Sequence, residues 1–221
     1  MVQLRKAAAP DLRFHVDSVE ALEYAAVPTL LFRLGIENAG VESVRSVALR
    51  TQIRIAPAQR HYGAEEQERL REVFGEPSRW GETLKGMLWT HTAVQVPAFS
   101  GSIVVDMPVP CTYDFDVVST KYFHNLEDGE IPLEFLFSGT VFYAGDMGLQ
   151  VAQISWDKEA PFRMPVRVWK EVMAHYFPNS AWLRIQTDTF DRLYGYKTRH
   201  GLPTWEAALE RLLRESEEGE G

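Results

Sequence analysis

The feature that most constrains the fold is a pair of alternating runs near the N-terminus. Apolar residues occupy the even positions from 30 to 36 and, apart from one threonine, the odd positions from 47 to 55. A period of two is typical of a strand that buries one of its faces. Turn-forming residues at 38–41 separate the runs, and they predict that the two strands form an antiparallel hairpin.

Six further segments have the composition of short strands, and their frequent Pro and Gly boundaries favour a sandwich over a βαβ fold. The predicted strands are 12–18, 92–97, 102–109, 113–120, 133–143 and 149–155. The pattern near 64–88 predicts a helical insertion, and amphipathic periodicity after Trp156 predicts C-terminal helices. The predicted fold class is therefore α+β but mainly β: an antiparallel β-sandwich with a helical insertion and a C-terminal helical segment. A parallel sheet flanked by helices is the alternative.

These elements predict four regions along the chain. They are a flexible N-terminus at 1–10, the sandwich at 11–155 with its insertion near 64–88, C-terminal helices packed on the sandwich at 156–214, and a disordered acidic tail at 215–221.

Composition narrows the class of function. A formal charge of −8 argues against nucleic acid as the main partner, because phosphate binding uses clustered Lys and Arg. No apolar run reaches the roughly 18 residues of a membrane span, so we expect a cytoplasmic protein. One cysteine excludes an internal disulfide, and the six histidines never recur at i,i+3 or i,i+4. We therefore expect no metal site and no cofactor.

The polar side of the second run is the most suggestive binding feature. Arg50, Gln52 and Arg54 alternate along it, and Arg33 is expected across the predicted hairpin. Arginines in such a row can bind a carboxylate or phosphate through paired hydrogen bonds. The alternative is that Glu37 and other acids neutralise them on a solvated face. The residue types do not decide between the two.

Other candidates lie apart from this row in the sequence. Tyr113 and Asp114 belong to an unbroken polar and aromatic segment after Cys111. His91 directly precedes the predicted strand at 92–97. Trp182 ends an aromatic stretch that begins at 176 and cannot bury all its side chains. The context of Cys111 favours a buried structural thiol over a nucleophile, and no catalytic residue is assigned.

Several phrases together resemble a known family. They are AAVPTL at 25–30, QIRI at 52–55, FGEP at 74–77 with RWG at 79–81, VPCTYD at 109–114, FSGTVF at 137–142, WDKE at 156–159 and YFPN at 176–179. The chain resembles an uncharacterised actinobacterial domain-of-unknown-function family associated with nickel–iron hydrogenase gene clusters. The resemblance covers roughly residues 12–213. It implies an accessory or partner protein of a hydrogenase system, and it supplies no catalytic residues.

Two hypotheses of function follow. The first is a non-enzymatic accessory or binding protein with a protein partner, for which a hydrogenase component is the partner that the resemblance implies. The second is a small-anion-binding protein or enzyme with a pocket between sandwich and helices, where the arginines bind an anion beside Tyr113, Asp114 or His91. Convergence of these side chains in a concave site favours the pocket, and dispersal favours the partner surface. The sequence leaves the oligomeric state open.

Overall fold

The computed structural model describes residues 9–114, 117–145, 148–180 and 184–219. Its contacts divide the chain into two compact units, residues 1–181 and residues 182–221. The first unit contains all the strands of the described residues, and the second contains two helices. Each unit is considered by itself below.

The first unit is built on eight antiparallel strands. They are β1 (Leu12–Ala21), β2 (Thr29–Asn38), β3 (Val44–Ile55), β4 (Met87–Val96), β5 (Ser102–Pro110), β6 (Glu130–Gly145), β7 (Gly148–Gln153) and β8 (Glu159–Pro165). One sheet has the order β1-β2-β5, and the other has the order β4-β3-β6-β7, with β8 also paired to β6. Two antiparallel sheets with added helices confirm the predicted mainly-β sandwich.

The core lies between the two sheets and follows the alternation of the sequence. The apolar positions of both runs are buried, with Phe32 and Ile53 inaccessible to solvent. Phe32 of the first sheet contacts Phe135 and Phe162 of the second edge to face, with ring centroids 5.2 and 5.9 Å apart. Period two therefore predicted correctly which side of each strand faces the core.

The predicted hairpin between the two alternating runs is wrong. Strand β2 pairs with β1 and β5, whereas β3 pairs with β4 and β6. The connection at 39–43 therefore crosses from one sheet to the other, which is a common arrangement in sandwiches. Alternation identifies the buried face of a strand but does not identify its neighbours.

Strand β6 changes neighbours along its length. Its first half pairs with β8 and its second half with β7, so these two strands lie end to end on the same edge of β6. At the changeover Gly139 has a φ of +138°, and a Cβ there would lie 2.1 Å from the carbonyl oxygen of Ala48. Its own carbonyl accepts a hydrogen bond from Ile154 N at 2.9 Å. Only glycine fits this position.

The α-helices are α1 (Ala64–Arg69), α2 (Arg71–Phe74), α3 (Trp80–Thr83), α4 (Val118–Asn125), α5 (Val166–Tyr176), α6 (Thr187–Arg199) and α7 (Trp205–Gly219). The helices of the first unit, α1 to α5, lie at one end of the sandwich, and α6 and α7 belong to the second unit. Helices α1 to α3 form the predicted insertion between β3 and β4. Residues 57–83 connect β3 to β4, α4 connects β5 to β6, and α5 follows β8. The strand ends that they join lie at one end of the sandwich. We call these three segments the helical cap.

Two segments differ from their predictions. Residues 113–120 were predicted as a strand, but α4 begins at Val118 and buries Tyr122 and Phe123 in the helical cap. This burial outweighs the β-propensity of the β-branched residues before it. The sheet also extends past the boundary predicted at 155, because β8 pairs with β6 at 159–165.

The second unit consists of α6 and α7. The ring of Phe190 lies 5.2 Å from that of Trp205, so aromatic side chains join the two helices. Ala208 is the one buried residue of the described part of this unit. Packing of these helices on the sandwich stays a prediction. Helix α7 runs to Gly219, which differs from the disordered tail predicted at 215–221, and Glu215 accepts a hydrogen bond from Arg211 there at 2.8 Å.

Candidate functional site

The polar side of β3 forms the first candidate site. We call Arg50, Gln52 and Arg54 the cationic row. Thr51 and Ile53 between them are buried, so the pleat of the strand directs the row outward from the five-stranded sheet. Arg50 is exposed, and Gln52 and Arg54 are partly exposed.

His91 joins this row from the neighbouring strand. It lies directly opposite Gln52 in the β3–β4 register, and residues opposite each other in an antiparallel pair project from the same face. On the other side of β3, Arg54 lies opposite Glu134 of β6. The row is therefore bordered by one titratable imidazole and one carboxylate, on a face that is open to solvent.

Glu134, the carboxylate opposite Arg54 in the register, forms no ion pair with the row in the described residues. Glu134 accepts a hydrogen bond from Gln59 Nε2 at 3.1 Å. The guanidinium of Arg54 lies over Gly86, where an added Cβ would be 2.8 Å from Nη2. Across the described residues, neither Arg50 nor Arg54 forms an ion pair. The row can therefore accept an anionic partner without first breaking an internal pair.

Arg33 does not belong to the cationic row. It lies on β2 in the other sheet, where its Nη1 is 2.6 Å from Asp106 Oδ1 of β5. The hydrogen bond to Asp106 raises the pKa of the Arg33 guanidinium. The prediction that placed Arg33 beside the row is wrong, because it rested on the hairpin that the sandwich does not contain.

Tyr113 and Asp114 lie at the helical cap, away from the cationic row. The Tyr113 ring stacks on Phe177 with centroids 5.2 Å apart and lies 5.9 Å from that of Trp169. The backbone N of Asp114 donates to Thr112 Oγ1 at 3.1 Å. Trp182 lies outside the described residues.

Tyr113 lines a groove of about 530 Å³ in the helical cap. Trp169 and Phe177 form apolar walls, and His124 and Lys170 supply polar groups at the rim. Burial lowers the pKa of His124, and the nearby charges of Lys170 and Arg69 lower it further. A lowered pKa favours the neutral imidazole at neutral pH.

Cys111 is a buried structural thiol, in agreement with the sequence. Its Sγ lies 3.5 Å from the carbonyl oxygen of Val109, and its backbone N donates to the carbonyl of Pro28 at 2.7 Å. Burial raises the pKa of the thiol to about 12. Because the thiolate is the nucleophile, this environment does not activate the cysteine.

The described residues contain neither a metal-ligand cluster nor a helix suited to cross a membrane. Within 9–114, 117–145, 148–180 and 184–219, no group of three or more His, Cys, Asp or Glu side chains could hold a metal ion. Over the same ranges no helix has the length and apolar character to cross a bilayer.

A buried ion pair in the helical cap was missed by sequence reasoning. Arg60 Nη2 lies 2.5 Å from Glu66 Oε1, and both side chains are more than nine-tenths buried. Arg60 also donates to the carbonyls of Asp128 and Glu130 at 2.8 and 2.9 Å, and Glu66 accepts from the backbone N of Glu127 at 2.8 Å. These bonds join the insertion to the start of β6. No periodic signal in the sequence indicates them.

A pair of tyrosines lies beside this ion pair. The hydroxyl of Tyr62 donates to the carbonyl of Pro57 and lies 2.8 Å from the hydroxyl of Tyr122. Burial raises the pKa of Tyr62 to about 12 and raises that of Tyr122 as well. Together with Arg60 and Glu66, the pair makes the centre of the helical cap a structural polar network.

A family model matches nearly the whole chain. The family model described as "Family of unknown function (DUF6084)" matches residues 9–221. The chain belongs to the DUF6084 family. This agrees with the resemblance to a domain-of-unknown-function family, and the match gives no link to actinobacteria or to hydrogenase genes. No curated protein matches this DUF6084 chain.

Solved structures resemble the DUF6084 chain only distantly. The CARDB domain of the PF1109 protein from Pyrococcus furiosus, in complex with di-metal ions, is 12% identical, with 70% of this chain and 91% of that chain covered and a TM-score of 0.28. A late embryogenesis abundant (LEA) protein, At2g46140.1, is 14% identical, with 71% and 73% covered and a TM-score of 0.32. TM-scores this low give no information on function.

Proposed function

We propose that the protein is a non-enzymatic accessory protein that binds an acidic protein partner through the cationic row. The observation that supports this is the dispersal of the candidate residues. Arg50, Gln52, Arg54 and His91 share one open sheet face, Arg33 lies on the other sheet, and Tyr113 lies in the helical cap. Dispersal favours a partner surface over a single pocket.

The shape of the face supports a macromolecular partner. Small-molecule sites are concave and cover most of their ligand, whereas the outward face of an antiparallel sheet is broad and open. The cationic row projects from the central part of such a face, because β3 has a neighbour on either side. A protein surface can cover it, but a small anion there would stay solvated.

The charges support an acidic partner. The chain has a formal charge of −8, and Arg50 and Arg54, which form no ion pair with any described residue, are two positive charges on one face. Guanidinium groups bind carboxylates through two parallel hydrogen bonds, which gives geometric specificity as well as attraction. Such a contact also raises the association rate, and salt weakens it.

The proposed setting is the cytoplasm, and the first partner to test is a hydrogenase component. The resemblance to a family associated with nickel–iron hydrogenase genes is the reason for that choice. Binding to the cationic row does not depend on this identity.

The experiment is affinity capture of tagged full-length protein from native cells at near-endogenous levels. We expect a co-purifying protein that is retained by the wild type and lost with the Arg50→Ala/Arg54→Ala variant. The matched control is Arg13→Ala/Arg167→Ala, which removes the same charge from exposed positions elsewhere. Repeated recovery of the protein alone, or equal loss from both variants, would contradict the proposal. A hydrogenase subunit among the lost proteins would support that partnership.

The groove in the helical cap is the second candidate, as a small-ligand site. The stacked rings of Tyr113 and Phe177 with the cation of Lys170 at the rim fit a planar aromatic anion. A screen of such compounds by thermal shift would test it. A stabilising compound should lose its effect with Lys170→Ala, and binding that is indifferent to Lys170 would place the compound elsewhere.

A further inference from the structure

We propose that β7 is a dimerisation edge, on which the β7 strands of two copies pair antiparallel. The pairing would join two five-stranded sheets into one continuous sheet. Strand β7 is an edge of the same sheet and is separated from β3 and its cationic row by β6; the proposal does not depend on the proposed function.

Exposed sheet edges tend to pair with other chains, and proteins protect them with prolines, charges, bulges or covering elements. Strand β5 has Pro108 and Pro110, which lack a backbone donor, and β4 lies beside it with Thr92 Oγ1 donating to the carbonyl of Pro108 at 3.1 Å. Strand β1 has a register shift between Val16 and Ser18, and it approaches β8 of the other sheet. These edges are therefore protected.

Within the part of the chain that the structure describes, strand β7 has none of these protections. Its sequence, GLQVAQ at Gly148–Gln153, contains no proline and no charged residue, and the strand pairs with β6 on one side and ends the sheet on the other. Leu149 and Val151 project outward with 67% and 56% of their surface exposed. An uncharged edge with exposed apolar residues can accept another strand.

Two further side chains extend the apolar surface at this edge. Phe142 of β6 lies directly opposite Val151 and shares its outward face. Trp156 follows β7 by three residues, in the turn to β8 on the same edge of β6, and 91% of its surface is exposed. Exposed tryptophans are enriched among the residues that dominate binding energy in interfaces.

A second copy is the occupant that fits this edge. A two-fold axis through Val151 places Val151 opposite Val151 of the other copy and Leu149 opposite Gln153, so that outward residues meet outward residues. This register pairs residues 149–153 of the two strands, which is all of β7 except Gly148. Because β7 has no charged residue, pairing with a second copy brings no like charges of the strand together, which matters for a chain with a net charge of −8.

The experiment measures the mass of the full-length protein by analytical ultracentrifugation over a range of concentrations. We expect the wild type to approach twice the chain mass of 25.2 kDa as concentration rises. Val151→Lys and Val151→Glu each place like charges opposite one another at the axis, so each should raise the dissociation constant about ten-fold or more. Mixing the two variants should restore the dimer, because Lys then faces Glu.

The matched control is Val104→Lys on β5, since Val104 has the same 56% exposure on the other sheet. It should dimerise like the wild type, and Trp156→Ala should weaken the dimer. A wild type that stays monomeric would overturn the proposal and favour a strand of another protein as the occupant. Dissociation by Val104→Lys, or a mixture that stays monomeric, would overturn the Val151 register. Circular dichroism confirms that each variant is folded.

Discussion

Arg54 and Arg60 are six residues apart, on either side of the end of β3, and their surroundings differ sharply. Arg60 is buried against Glu66 and donates to two backbone carbonyls at the start of β6. Arg54 lies partly exposed on the outward sheet face, with no ion pair to any described residue. The difference shows that burial and pairing, rather than residue type, separate an arginine that stabilises the fold from one that is available to a partner.

The largest expected effect is that of breaking the buried pair. Arg60→Ala leaves the Glu66 carboxylate buried without its cation, so the free energy of unfolding should fall on the order of 3–5 kcal/mol. Urea denaturation followed by circular dichroism measures this loss. Arg69→Ala is the control, because its pair with Glu127 is 42% and 53% exposed, and it should cost far less. Equal losses in the two variants would contradict the distinction between buried and exposed arginines.

The tyrosine pair is expected to have an intermediate effect. Tyr62→Phe removes the hydroxyl that links Pro57 to Tyr122, and the free energy of unfolding should fall by about 1–3 kcal/mol at neutral pH.

The same pair predicts that the free energy of unfolding falls at alkaline pH. The folded pKa of Tyr62 is raised from 10.0 to about 12, so its stabilisation is complete below pH 10 and is lost as pH rises through about 12. The raised pKa of Cys111 also lowers stability at alkaline pH, and it does so in both proteins. The informative quantity is therefore the difference in the free energy of unfolding between wild type and Tyr62→Phe. That difference should shrink above pH 10. A constant difference would show that Tyr62 does not contribute to the alkaline loss.

A smaller effect is expected at the exposed pair between β2 and β5 of the three-stranded sheet. Arg33→Ala removes the contact with Asp106. The side chains of both residues are about half exposed. Any fall in melting temperature should be slight at low ionic strength and absent at high salt, because solvent ions screen such pairs. A loss as large as that of Arg60→Ala, and unaffected by salt, would mean that exposure is a poor guide to the role of an arginine here.

The smallest effect on stability is expected at the cationic row. Arg50→Ala with Arg54→Ala should change the free energy of unfolding by no more than about 0.5 kcal/mol per site, since no described ion pair is broken. The same variant is expected to lose its acidic partner. Thermal melts and capture on one preparation therefore separate the two roles. A large drop in melting temperature would indicate structural pairing, and unchanged melting with unchanged capture would exclude both roles.

The sequence predicted the buried faces of the strands because alternation is a local pattern. It could not predict strand pairing, because the neighbours of β2 and β3 are decided by contacts between distant segments. Helix α4 was missed for a related reason: its β-branched residues favour a strand, and burial of Tyr122 in the helical cap is a tertiary effect. Strand β8 was missed because its two prolines are typical of a loop.

In the candidate site, too, local patterns were predicted and contacts between distant segments were not. Alternation correctly placed Arg50, Gln52 and Arg54 on one face, and the pairing of β3 with β4 added His91 to it. Arg33 was misplaced because its position depended on which strands pair. Arg60 and Glu66 are six residues apart and on neither a strand nor a shared helix face, so only the folded chain reveals their contact.

The burial of Cys111 has a practical consequence for chemical labelling. It is the one cysteine of the chain and is buried in the native protein, so thiol reagents should react with it only when the structure opens locally. A cysteine introduced at Gln52 or at Gln153 would then be the only rapidly reactive thiol. Fluorophores, spin labels or photo-crosslinkers could be attached at either position without first removing the native cysteine.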